Sequence, residues 1–101
     1  MTVVRWTETA ASDLESIRDY IRRDSPIMAQ LVAARLYEAV SLLRDYPAAG
    51  RVVPERNDPL LRELVRPPYR IVYDLQDNVV EILTVFHAAR MFPADIAPPA
   101  R

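Results

Sequence analysis

The stretch LRELVRPPYRIVYDLQDNVVEILTVF, residues 61–86, decides the fold. Two turn signals divide it. Leu61 to Arg66 is closed by Pro67-Pro68, Tyr69 to Leu75 by Asp77-Asn78, and Val79 to Phe86 follows. Proline fixes its backbone angle, and Asp and Asn tolerate tight turns. The segments between them are rich in β-branched and aromatic residues. The pattern predicts a three-stranded antiparallel meander whose last two strands form a hairpin. Alternation places Tyr69, Ile71 and Tyr73 on one side and Arg70, Val72 and Asp74 on the other. On the last strand Val80, Ile82, Thr84 and Phe86 oppose Val79, Glu81, Leu83 and Val85. Both sets carry apolar groups, and the interleaved Arg and Glu mark one face as partly open.

Upstream, the period changes. Ala10, Leu14, Ile17 and Ile21 are spaced 4, 3 and 4 apart, one face of an α-helix. Thr7 is placed to cap it. Asp24-Ser25-Pro26 interrupts the pattern, with Ser25 as the next cap and Pro26 in the first turn. A second stripe, Ala29, Val32 or Ala33, Leu36, Val40 and Leu43, carries a helix to Asp45 or Tyr46, where Pro47 forbids continuation. So short a joint folds the helices back antiparallel. Thr2 to Trp6 reads as an opening strand, and Val52-Val53 as a short extended piece in an otherwise looped segment. Trp6 and Tyr20 are expected in or near the core. The sum is an α+β domain: an N-terminal strand, an antiparallel helical hairpin, then a three-stranded meander, all in one small sheet against the helices. Residues 1–92 form that domain, and the Pro- and Ala-rich residues 93–101 a loosely ordered tail.

Composition removes several functions. The chain has 101 residues, no cysteine, one histidine (His87) and one glycine (Gly50). Thiolate chemistry and Cys-ligated metals are excluded, and there is no Gly-rich phosphate loop. No cofactor and no metal are expected. All thirteen basic residues are arginine, against fourteen acids, for a net charge of −1. Any nucleic-acid contact must therefore use a local patch. No run is long and apolar enough for a membrane span, and the opening residues lack a signal-like apolar region, so the expected compartment is the cytoplasm.

The chemistry-bearing residues are few. Arg51, Arg56, Arg62, Arg66 and Arg70 fall within residues 51–73, with three acids. Guanidinium forks suit phosphate or carboxylate. Arg62 and Arg70, on adjacent predicted strands, are expected to be neighbours on one surface. The plainer reading makes them solvated strand residues paired with Glu63, Glu81 or Asp74. His87 is the one side chain whose ordinary pKa suits proton transfer near neutrality, although a lone histidine is more often a packing residue. No nucleophile-elbow sequence surrounds Ser12, Ser16, Ser25 or Ser41. Tyr37 and Tyr46 sit where helix two can present them to a partner.

Taken in order, these residues resemble the ParE/RelE superfamily of bacterial type II toxins. Trp6-Thr7-Glu8, Ala10, Asp13-Leu14, Ile17 and Tyr20-Ile21 are similar to its opening. Pro26, Pro47 and Gly50-Arg51 resemble its helix punctuation. Arg62, Tyr69-Arg70-Ile71-Val72-Tyr73, and Glu81-Ile82-Leu83 with Val85, His87 and Arg90 resemble its strands and exit. The resemblance covers residues 3–92. It implies a growth-arresting toxin neutralised by a cognate antitoxin, whose C-terminal segment folds on binding into a hetero-oligomeric complex. The superfamily has two branches, one inhibiting DNA gyrase and one cutting mRNA on the ribosome. In the RNA-cutting branch the resemblance would make Arg62, Arg70 and His87 catalytic. Arg51, Arg66 and Arg90 would contact phosphate or a partner, and Tyr37 and Tyr46 would face the antitoxin. The absence of lysine and Ala88 after His87 depart from the RNA-cutting pattern, and the two long, uninterrupted helices and the near-neutral charge favour the gyrase branch.

Overall fold

A computed structural model describes residues 2–96 of the chain. Strand β1 (Val3–Trp6) leads into helices α1 (Glu8–Arg22) and α2 (Pro26–Ser41) and a 3-10 turn, Leu42–Arg44. Strands β2 (Arg51–Val52), β3 (Leu61–Arg66), β4 (Tyr69–Gln76) and β5 (Val79–His87) follow. The sheet order is β1-β5-β4-β3-β2. All pairings are antiparallel except that of β1 with β5, which is parallel. This is the expected α+β architecture, with β2 realising the short extended piece and the first strand seated beside the last.

Local chemistry explains the element ends. The Thr7 hydroxyl accepts the Ala10 N–H at 3.2 Å, an N-cap, and donates to the Ile82 carbonyl at 2.6 Å. One side chain thus starts α1 and ties it to β5. Ser25 caps α2 by accepting the Met28 N–H, with Pro26 just inside the helix. Helix α2 ends at Ser41, and the 3-10 turn takes up the residues expected to continue it. The β4–β5 turn places Asp77 at φ 55°, a left-handed angle that Asp accepts.

The sheet is covered on both faces. On one, α1, α2 and the 3-10 turn bury Ala10, Leu36, Ala39, Val40 and Leu43 against Leu64, Ile71, Tyr73, Val80, Ile82 and Val85. On the other, Val53, Leu61, Val72, Leu83, Phe86 and Ile96 form a smaller cluster joined by Phe92. Three expectations need correction here. Simple alternation along β5 fails: Val72 pairs with Thr84 but Tyr73 with Ile82, leaving Leu83 as an extra residue. Such a bulge shifts the phase, so Val85 joins the helix-side core and Phe86 the opposite one. Tyr20 is not near the core but 70% exposed, at the side of the apolar stripe of α1. The tail expected at 93–101 begins packed, since Ile96 is buried against the sheet; residues 97–101 lie outside the described residues. Among the described residues no helix is long and apolar enough to cross a membrane.

Candidate functional site

The helix-free face of the sheet holds a charged centre. In the β3–β4 register Arg70 pairs with Val65, and so shares that face with Leu61 and Glu63. The Arg70 guanidinium grips Glu55 as a two-pronged fork, Nη1 to Oε2 and Nη2 to Oε1, both 2.8 Å. Its Nε donates to Oε1 of Glu63. The other Glu63 oxygen accepts Nε of Arg51 at 2.7 Å. The Arg70 guanidinium lies 5.2 Å from the Phe86 ring and 5.6 Å from the Phe92 ring, and that of Arg56 lies 5.0 Å from Phe92. Arg56 also donates to the Pro93 carbonyl. The side chain of Glu63 is wholly buried and that of Arg70 only 9% exposed.

Two arginines and two glutamates cancel in charge, and every nitrogen of the Arg70 guanidinium has a carboxylate partner. Burying a charge without a partner costs several kcal/mol, and the fork geometry is what makes this arrangement tolerable. The hydrogen bond from Arg70 lowers the Glu55 carboxyl from its ordinary 4.5 to about 2, against the opposing effect of burial. The same bond to Glu55, with help from Glu63, raises the Arg70 pKa further. The cluster is a closed electrostatic unit facing away from the helices.

The other predicted residues do not join it. Arg62 pairs with Tyr73 and so points to the helix side, away from Arg70. Its Nη1 donates to the Gly50 carbonyl at 2.9 Å and its Nε to that of Pro59 at 3.1 Å, stapling the loops on either side of β2. The expected Arg62–Arg70 surface is thereby corrected. Adjacent strands bring two side chains together only when the register gives them the same face, and the Pro67-Pro68 turn sets the opposite one. His87 pairs with Tyr69 at the far end of the sheet, also on the helix side. Its ring meets the Tyr69 ring edge-on at 5.7 Å, and its Nδ1 accepts the Ala89 N–H at 3.0 Å. Arg66, opposite Tyr69 on β3, donates to the Val65 carbonyl. Arg51 belongs to the charged cluster, and Arg90 is exposed in the turn after β5.

Tyr37 is 54% exposed, stacked on Trp6 at 5.8 Å, and lines a groove between α1 and α2 with Leu14, Arg18, Gln30, Ala33 and Ala34. Tyr46 stands exposed beyond the 3-10 turn. The sequence reading missed Glu55, Phe86 and Phe92 as partners of Arg70. Its one usable signal was the pairing of strand arginines with Glu63, which is the contact formed.

Comparison with known proteins places this arrangement. Residues 4–92 match the family model of the ParE toxin of the type II toxin–antitoxin system parDE. A relative named Toxin RelE2, from Caulobacter vibrioides, is 46% identical over 92 residues, 90% of this chain and all of that protein. A solved structure of the chromosomal ParDE toxin–antitoxin system from P. aeruginosa is similar at TM-score 0.70 and 27% identity, over 86% of this chain and 96% of that one. A second, the toxin–antitoxin complex RelBE2 from Mycobacterium tuberculosis, is similar at TM-score 0.59 and 26% identity, over 85% and 96%. With nearly the whole fold accounted for, from the opening strand to the turn that carries Arg90, the chain belongs to the ParE toxin family of type II toxin–antitoxin systems.

Proposed function

We propose that this toxin acts in the cytoplasm by binding, with DNA gyrase as its target, and is silenced by a cognate antitoxin in a hetero-oligomeric complex. The observation that carries the reading is the closed Arg70–Glu55–Glu63–Arg51 cluster. Cutting RNA needs a cation free to meet the charge that develops on the phosphate, and a proton-transfer group within reach of the same phosphate. Arg70 is engaged by two carboxylates on one side of the sheet. His87 and Arg62 lie on the other, each bound to backbone. This separation favours a protein-binding toxin over the RNA-cutting alternative, in which Arg70 and His87 would act together on ribosome-bound mRNA. The neutral balance of charges supports the same reading, since a phosphate-tracking surface requires an excess of cations.

The test is induction of the chain without its antitoxin, followed in the same cells by plasmid supercoiling and by mapping of transcript ends. Gyrase inhibition without new ends at ribosomal positions is the expected result. Fresh transcript ends with normal supercoiling would overturn the proposal. His87→Ala is expected to keep full toxicity, because the binding reading assigns His87 no proton transfer.

A further inference from the structure

Between α1 and the adjoining ends of β4 and β5 lies an open cavity of about 370 Å³. It is on the helix side of the sheet, so the Arg70 cluster does not contribute to its chemistry. Ile17 and the buried Val85 give it an apolar base, Tyr20 and Tyr69 form walls, and His87 and Arg90 stand at the rim.

Its rim carries several unengaged donors. Asp13, the carboxylate in its wall, has Oδ2 engaged by the Thr84 hydroxyl at 2.6 Å and the Val85 N–H at 3.1 Å. These bonds satisfy the edge of β5 beyond the point where β1 has ended. His87 accepts the Ala89 N–H at Nδ1, which leaves Nε2 to carry the ring proton in the neutral form. Among the described residues Arg90 forms no ion pair, and the Tyr20 and Tyr69 hydroxyls form no hydrogen bond. An apolar hollow rimmed by unengaged donors calls for a ligand that is apolar at its centre and an acceptor at its edge. Tyr and Arg beside an apolar depression are also among the residues enriched at the hot spots of protein interfaces.

Resting on the toxin–antitoxin reading above, we propose that this cavity is an anchor pocket for the cognate antitoxin. It takes an apolar or aromatic antitoxin side chain, and Arg90 and His87 bind a carboxylate beside it. The geometry favours an acidic peptide over RNA. The Tyr69 and His87 rings meet at 77° and offer no flat stacking platform. A single guanidinium also provides no track for successive phosphates.

The experiment titrates the full chain and its variants with purified cognate antitoxin by calorimetry. Tyr69→Ala and Arg90→Ala are each expected to weaken binding by about tenfold or more. Arg90→Lys is expected to restore part of that loss, and Arg90→Ala to reduce the salt dependence of affinity. Arg23→Ala, at the exposed end of α1, serves as the unaffected control. The Arg90 side chain is exposed and forms no hydrogen bond or ion pair among the described residues, so its variants keep the test valid even where Tyr69→Ala folds poorly. Unchanged affinity of the Arg90 variants would overturn the pocket while leaving the toxin–antitoxin reading intact. No binding by the unmodified chain would remove both. A 12-nucleotide RNA that displaces the antitoxin from the unmodified chain but not from Arg90→Ala would overturn the choice of occupant.

Discussion

Arg70 is held from four sides, and its replacement has consequences at the residue scale. Arg70→Ala leaves Glu63 buried with only Arg51, itself largely exposed, as a charged partner. Breaking a buried pair from one side costs about 3–5 kcal/mol. Arg70→Ala is therefore expected to lower the urea midpoint strongly, and the double variant with Glu63→Gln to recover much of it. A toxicity loss in Arg70→Ala reversed by Glu63→Gln reports folding, not catalysis. The cluster also fixes a pH response. Glu55 titrates at about 2 in the folded chain against an ordinary 4.5. A depressed carboxylate stabilises the fold above its unfolded value, and that contribution is lost as pH falls from 4.5 towards 2. Denaturation midpoints measured across this window are expected to fall less steeply for Glu55→Gln than for the unmodified chain. The pairing of Arg70 with Glu63 was among those its alternating strand allowed. The other partner of Arg70, Glu55, was not legible, because it sits in the irregular segment between β2 and β3, whose path no periodicity specifies.

At the scale of elements, strand limits and helix caps were readable because each rests on local chemistry: Pro67-Pro68, Asp77-Asn78, Thr7 and Ser25. The bulge at Leu83 was not, since nothing in an apolar run distinguishes the extra residue from its neighbours. That one residue decides which way Val85 and Phe86 point, and with them the base of one cavity and a flank of Arg70. A close approach between elements was equally hidden. The Tyr73 hydroxyl accepts the Gly50 N–H at 2.9 Å and donates to the Pro47 carbonyl at 2.8 Å, clamping the entry to β2. A Cβ on Gly50 would stand 2.6 Å from the Glu63 carbonyl oxygen and 2.7 Å from the Tyr73 ring. Gly50→Ala must therefore displace backbone or a buried ring, at a cost of about 1–3 kcal/mol. Thermal unfolding is expected to fall by roughly 4–8 °C per kcal/mol.

For the whole molecule, the two faces of the sheet are unequal. Two helices cover one. The other relies on the segment after β2 and on residues 92–96, with Phe92 edge-on to Phe86 at 5.8 Å and Ile96 buried. The proline content after residue 92 predicted a loose end because composition reports what a segment cannot form, not what it rests upon. A chain ending at Met91 is expected to unfold at a lower temperature and to bind a hydrophobic dye more strongly, since Val72, Leu83 and Phe86 lose cover. Equal melting curves for the full and shortened chains would show that the cover contributes nothing.

The parallel partnership of β1 with β5 also sets the order of assembly in time. Strand β1 has for its neighbour the strand most distant from it along the sheet-forming sequence, so its ladder stays open until β5 has been made. A nascent chain halted before Val79 holds the helical hairpin and strands β2 to β4, but without β5 nothing joins β1 to β4.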